Sequence, residues 1–308
     1  MNISIVIPCY NEEDNIDEIF SRLIKTVDKT DLNIDKIIFV DDGSFDQTWN
    51  KIISLKKKNS NIIMGIKFSR NFGHQYAVLA GLKFSKSDLT LIIDSDLQDP
   101  PEILEIMYDE MTKEKANCVY AQRKSRKDGL VKKVLIFLFY RILTKVSAIE
   151  IPQDVGDFRL IDKKICQNLI KFSEKDPFIR GLVPWTGFKQ IPIKFDRDER
   201  KKGKSGYNFG KLLKLSLDGI FSFSSIPLRI PYYIFILSSF LLIITILYTL
   251  NMQFNNESIS FWNPLIIIIL FFNSMHFLSL AILAEYMGRS YKENLNRPKY
   301  IISDILDE

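Results

Sequence analysis

Two hydrophobic periods alternate through the first third of the chain. Ile3-Ser4-Ile5-Val6-Ile7-Pro8 is a short, mostly β-branched run that predicts a strand. Asp14 to Val27 then carries Ile16, Ile19, Phe20, Leu23 and Ile24 at helical spacing, with acids in its first turn. The pair recurs: Lys36 to Val40 predicts a strand and Asp46 to Lys57 a helix, Ile62 to Phe68 a strand and His74 to Phe84 a helix. Leu89 to Ile93 predicts a fourth strand, followed by a helix from Glu102 to about Lys115 and a strand over Asn117 to Ala121. Strands separated by single helices predict an α/β fold with a parallel sheet and right-handed crossovers.

The polar residues gather where these strands end. Pro8-Cys9-Tyr10-Asn11-Glu12-Glu13, Asp41-Asp42-Gly43-Ser44, Ser69-Arg70-Asn71-Phe72-Gly73 and Asp94-Ser95-Asp96-Leu97-Gln98-Asp99-Pro100 each follow a predicted strand. Strand C-termini in open α/β sheets line the ligand crevice. Asp94 and Asp96 repel each other unless a cation lies between them. Mg²⁺ or Mn²⁺ fits, because such ions take one or two carboxylates together with phosphate oxygens. A solvated acidic turn is the alternative for a bare Asp-x-Asp. No Gly-x-Gly-x-x-Gly follows the first strand and no Walker sequence occurs, so a nucleotide would be held by acids and backbone.

The second half is more apolar. The run between Lys133 and Arg141 is too short to span a bilayer, and its flanking cations predict a helix lying in the interface. Phe209 to Phe223 is a second amphipathic segment, with Lys211, Lys214 and Asp218 on one face. Tyr232 to Leu250 and Pro264 to Leu283 are each long enough to cross the bilayer. Asn251 to Asn263 carries no Lys or Arg, whereas Arg229, Arg289, Lys292, Arg297 and Lys299 flank the outer ends. The expected topology is an integral membrane protein with two transmembrane helices, its catalytic domain and both termini cytoplasmic. Asn273, Ser274 and His276 within the second run suggest self-association as a homo-oligomer. The net charge of +5 over 308 residues is modest and clustered beside apolar runs, which favours a membrane surface or phosphates over nucleic acid. Cys9, Cys118 and Cys166 are far apart and read as reduced thiols. The chain opens directly on a strand pattern, so no signal peptide is expected.

Ile5-Val6-Ile7-Pro8-Cys9-Tyr10-Asn11-Glu12-Glu13, Val40-Asp41-Asp42-Gly43-Ser44 and Asp94-Ser95-Asp96-Leu97-Gln98-Asp99-Pro100 resemble the inverting family-2 glycosyltransferases of the GT-A fold. Arg70-Asn71-Phe72-Gly73, Gln122-Arg123-Lys124-Ser125-Arg126, Gly156-Asp157-Phe158-Arg159-Leu160 and Pro227-Leu228-Arg229 are similar to the polyprenyl-phosphate branch, which includes dolichol-phosphate mannosyltransferase and bactoprenol glucosyltransferases. The resemblance implies transfer of one hexose from a nucleotide-diphosphate sugar to a polyprenyl phosphate. It places the divalent metal on Asp94, Asp96 and Gln98, and the nucleotide on Pro8, Tyr10, Glu12 and Asp42. It puts Arg200, Ser205 and Tyr207 in a lid over the donor, the lipid phosphate on Arg123 and Arg126, and Asp157 at the acceptor as a base. Gly206 departs from the family's lysine before the tyrosine, and His74 stands where a variable polar residue is usual. His74 reads as the first turn of a helix, not a catalytic base. The Gln-x-x-Arg-Trp signature of processive synthases is missing near Arg180, which implies one sugar per turnover.

The implied division is a nucleotide-sugar and metal half over 1–128, an interfacial helix over 129–148, and an acceptor half with the lid over 149–207. A juxtamembrane helix over 208–229, a transmembrane hairpin over 230–286 and a cytoplasmic tail over 287–308 complete it. UDP-glucose is the preferred donor, on resemblance; GDP-mannose and other sugars stay open. So do a transferase acting on another lipid, such as a diacylglycerol, and a non-catalytic membrane subunit that binds nucleotide sugar. A phosphate acceptor has a second pKa near ~6 and is mostly dianionic at neutral pH. It needs orientation more than deprotonation, whereas the leaving diphosphate needs its charge neutralised. Asp96→Asn should therefore lower the turnover rate more than Asp157→Asn. Equal losses, with the two variants assayed side by side, would count against this ranking.

Overall fold

The computed structural model describes residues 1–123, 155–175, 177–195, 226–254 and 262–307. The expected interfacial helix over 129–148, the lid with Arg200, Ser205 and Tyr207, the amphipathic segment from Phe209 and the clamp residue Arg126 lie outside the described residues. The described chain falls into two units, one built on a sheet and one containing the two longest helices.

In the first unit the expected alternation is present. Strands β1 (Asn2–Cys9), β2 (Asn33–Asp41), β3 (Ile63–Phe68) and β4 (Leu89–Ile92) are separated by helices α1 (Ile16–Val27), α2 (Thr48–Lys58) and α3 (His74–Phe84). β1 pairs parallel with both β2 and β4, and β2 pairs parallel with β3. A short 3-10 turn at Pro101–Ile103 leads into α4 (Leu104–Glu114), then β5 (Cys118–Arg123). After the undescribed segment come β6 (Val155–Asp162), α5 (Lys163–Lys171), α6 (Ile179–Trp185) and β7 (Gln190–Phe195).

The sheet is not wholly parallel. β6 inserts between β4 and β5 and runs antiparallel to both. This reversal is what carries Asp157 back to the crevice, because it sets Arg159 opposite Ile92 at the end of β4. The expected tail over 287–308 is also not simply a tail. Residues from Arg297 onward belong to the sheet unit, and β8 (Ile302–Leu306) pairs antiparallel with β3 at the sheet's edge.

β1 is buried on both faces, as the centre of a parallel sheet must be. Ile3, Ile5 and Ile7 join Ile16, Ile19 and Leu23 of α1 and Met107 of α4 in the main core. Burying each such side chain contributes roughly 1.5–3 kcal/mol. On the other face α3 lies against β1. Ser4 would be costly there alone, but its hydroxyl bonds Ser87 Oγ at 2.7 Å, and Ser87 in turn donates to Asp35 Oδ2 at 2.6 Å.

The second unit contains α7 (Ile226–Phe254) and α8 (Trp262–Asn294), which pack on each other. They cover the two apolar runs read from the sequence. Among the described residues, no helix is long and apolar enough to cross a membrane. A groove of about 480 Å³ within this unit is lined by Pro231, Phe235, Asn273, His276 and Ser279, among others.

Gly81 shows how closely α3 sits on the sheet. A methyl group there would lie 2.3 Å from Val6 Cγ1. Gly81→Ala should destabilise the sheet unit by roughly 1–3 kcal/mol, the usual penalty for overpacking. The urea midpoint of unfolding reads this directly, and an unchanged midpoint would mean that α3 can move off β1 at no cost.

Candidate active site

The loops after β1, β2, β3 and β4 meet at one end of the sheet. The first two are stitched together: Asn11 N donates to Ser44 Oγ, Phe45 N to Asn11 Oδ1, and Glu12 N to Thr48 Oγ1, all within 2.9 Å. Glu12 accepts from the Asn15 amide at 2.5 Å, so its carboxylate is partly used within its own turn. Tyr10 is exposed at the rim with its ring edge-on to the exposed Phe45, centroids 6.4 Å apart. Pro8 contributes its carbonyl, which accepts from Ser95 Oγ at 3.1 Å and ties β1 to the loop carrying Asp94 and Asp96.

The second and third loops nearly touch. Gly43 has φ +69°, and a Cβ on it would fall 2.4 Å from the backbone of Arg70. That contact lets Asp42 reach the loop after β3, where its carboxylate accepts from Phe72 N at 2.7 Å, Gly73 N at 2.9 Å and the Asn71 amide at 2.9 Å. Burial pushes the Asp42 carboxyl upward and these amide bonds oppose the shift. Asp42, expected to face the nucleotide, thus spends its acceptors on the chain leading into α3.

Asp94 and Asp96 follow β4. Gln98 N donates to Asp96 Oδ1 at 3.2 Å, so Asp96 braces its own turn, and Gln98 is part-exposed beside it. Asp94 Oδ1 is buried with no hydrogen-bond partner among the described residues. Burial raises the Asp94 carboxyl, His74 opposes this, and Asp157 and Asp96 add to it. Among the described residues no group of three His, Cys, Asp or Glu side chains is disposed to hold a metal ion. A buried carboxylate oxygen crowded by two other carboxylates, with the His74 ring 3.5 Å away and no hydrogen bond, is nonetheless the chemistry a hard cation satisfies.

Across the crevice Asp157 is locked. Arg180 Nε and Nη2 donate to its two oxygens at 3.0 and 2.9 Å. Gln75 Nε2 donates to Oδ2 at 3.2 Å, and His74 Nε2 lies 3.2 Å from the same atom. His74 Nε2 is also 3.5 Å from Asp94 Oδ1, so one imidazole bridges the two carboxylates. Burial alone would raise Asp157, but Arg180 and His74 together hold it well below the usual carboxylate range. A carboxylate so held is a poor base and a firm anchor.

Residues 4–170 match the family described as Glycosyl transferase family 2. This chain belongs to that family. It is a glycosyltransferase, and its sheet is the α/β core of the GT-A type. It is 43% identical over 306 residues to the "Uncharacterized glycosyltransferase YkcC" of Bacillus subtilis (strain 168), which covers 97% of this chain and 92% of that one. It is 35% identical over 311 residues to the "Bactoprenol glucosyl transferase" of Shigella phage SfV, covering 99% of each. Among solved structures, the mannosyltransferase PcManGT from Pyrobaculum calidifontis in complex with GDP-Man and Mn²⁺ shares the fold. That match has a TM-score of 0.50 and 16% identity, over 71% of this chain and 63% of that one.

The structure brings Asp94, Asp96 and Asp157 of the glycosyltransferase to one crevice, with Pro8, Tyr10 and Glu12 on loops at the same end of the sheet. Arg123 ends β5, but its side chain is not among those described. His74 does start a helix, as its sequence context predicts, and it also does more. Arg180, Gln75 and this second role of His74 escape the sequence reading. Arg180 lies 23 residues from Asp157, and His74 lies 83 residues from it. No local period reports such pairs.

Partial loss of water in the crevice would depress the His74 imidazole, but Asp94 and then Asp157 outweigh it and raise the pKa to about 9. The folded value exceeds the ordinary 6.5. The stabilisation is therefore fully present below pH ~6.5 and is lost as pH rises through about 9. Wild type should lose its stability advantage over His74→Asn across that window when unfolding midpoints are compared. A difference that stays constant with pH would refute the assignment.

Proposed function

We propose that this glycosyltransferase moves one hexose from a nucleotide-diphosphate sugar, UDP-glucose by preference, to polyprenyl phosphate with inversion. The observation that carries the reading is the locked Asp157. An alcohol acceptor must lose its proton to a base as it attacks. A carboxylate held by Arg180 and His74 does not serve that need, whereas a phosphate arrives already ionised. This favours a lipid phosphate over a diacylglycerol hydroxyl. Relatives named bactoprenol glucosyl transferases, alike over nearly the whole chain, support the same acceptor.

In this reading a phosphate oxygen of the acceptor forms a bond to the anomeric carbon. The bond from that carbon to the diphosphate breaks, and its electron pair leaves with the nucleotide. Tyr10 and Phe45 flank the base, and Pro8, Glu12 and Asp42 shape the wall behind it. Asp94, Asp96 and Gln98 are suited to hold Mg²⁺ or Mn²⁺, which would supply charge neutralisation for the leaving diphosphate. Asp157 orients what docks beside it. The retained trio of Asp94, Asp96 and Asp157 argues against a non-catalytic subunit.

We place the second unit in the cytoplasmic membrane, with the catalytic unit and both chain ends on the cytoplasmic side. α7 has 29 residues and Arg229 is its sole charge by sequence. At about 1.5 Å per residue such a helix exceeds a ~30 Å hydrocarbon core. Its large apolar side chains, Tyr233, Phe235, Phe240, Ile243 and Leu247, point outward, as lipid contact requires. Asn273 and His276 on α8 supply polar contacts for a homo-oligomer.

Membranes containing the protein, given undecaprenyl phosphate and radiolabelled UDP-glucose, GDP-mannose or UDP-N-acetylglucosamine, should yield one labelled lipid, and EDTA should abolish it. Product from a donor other than UDP-glucose would change the sugar but keep the class. A correctly folded protein that labels no lipid with any donor would overturn the reading.

A further inference from the structure

Asp157 is hidden, but two of its partners are not. Its side chain is 2% exposed, whereas that of Arg180 is 25% and that of His74 41% exposed. An incoming molecule at this end of the crevice therefore meets a guanidinium and an imidazole, with the carboxylate behind them. A third cation, Arg159, is buried 3.9 Å from Asp157. The spacing of the two exposed groups is set by Gln75. Its amide donates to Asp157 and its carbonyl accepts from Ile179 N at 3.0 Å, joining the start of α6 to the start of α3.

We propose that Arg180 and His74 form a seat for a phosphate group, that of the acceptor, beside Asp94. This rests on the acceptor reading above and adds a recognition site to it. A guanidinium carries five N–H donors, of which Asp157 engages those on Nε and Nη2 of Arg180, and such donors match phosphate oxygens. His74 opens α3, and the positive end of that helix's dipole favours an anion on the same side. Asp94, on the donor side, is 3.5 Å from His74 Nε2. A phosphate seated on these groups is thus next to the donor, where its oxygen must be to attack. Asp157 keeps the two donors in place by accepting from both. The seat is separate in sequence from Arg123 and Arg126, the expected clamp. The donor's diphosphate shares this chemistry, so the test must tell the two apart.

His74→Asn and Arg180→Lys are compared with wild type as full-length protein, with undecaprenyl phosphate as acceptor. In each variant the acceptor KM should rise by roughly tenfold or more, the worth of a lost or misplaced charge-assisted hydrogen bond. The kcat should change less, and UDP affinity by calorimetry should stay within about twofold. Weakened UDP binding with an unchanged acceptor KM would assign the seat to the donor and overturn the proposal. A fall in kcat alone would mean that both residues only orient Asp157, which overturns it equally. If Arg180→Lys fails to fold, His74→Asn, whose side chain is well exposed, decides the matter. A wild type that transfers no sugar would sink the acceptor reading. The seat is then decided by phosphorus NMR of inorganic phosphate, whose binding must weaken in His74→Asn; equal binding rejects the seat.

Discussion

A buried negative charge organises the crevice. An ionised carboxylate taken out of water costs several kcal/mol unless it is paired and hydrogen-bonded. Asp157 meets that condition only because three separate pieces of chain converge on it. β6 delivers the carboxylate, α6 brings Arg180, and the first turn of α3 brings His74 and Gln75. Removing one partner from such a group typically costs about 3–5 kcal/mol, because the charge left behind has no compensation. The pairing thus contributes to holding this side of the crevice together as well as setting its electrostatics.

The loops after β1, β2 and β3 are held differently. They are fastened mainly by single hydrogen bonds between side chain and backbone, each worth about 1 kcal/mol net. Asp42 fastens the loop after β3, through two backbone amides and a side-chain amide. The close approach at Gly43 makes the reach possible. The same loop leads straight into His74, so the Asp42 anchor also sets where the imidazole stands. His74 then touches Asp94 and Asp157 together. Two sides of the crevice are joined through one ring.

The edge of the sheet offers a further link. Residues after α8 return to the first unit, where Tyr300 stacks on Phe68 with centroids 4.9 Å apart and Ser69 N donates to Ile301 O at 3.0 Å. Lys56 Nζ donates to the carbonyl of Asp307 at 2.7 Å. Together with β8 these contacts cover an edge that would otherwise expose unpaired backbone. They also brace the strand end from which the Arg70 to Gly73 loop departs.

Much of the region from β1 to β4 is legible in the sequence. Alternating periods mark β1 to β4 and their helices, since each depends on neighbours a few residues away. Asp94 and Asp96 stand out because an apolar strand ends on them. The long apolar runs mark α7 and α8 for the same local reason. Other features are decided only by the folded chain. Sequence pattern places Asp42 at a strand end but cannot say that its carboxylate turns to Phe72 and Gly73. The antiparallel insertion of β6, the return of the tail as β8, and the meeting of Asp157 with Arg180 and His74 join residues far apart in the chain. Their geometry comes from sheet order and packing, and so it was the tertiary structure that decided which charges face each other across the crevice.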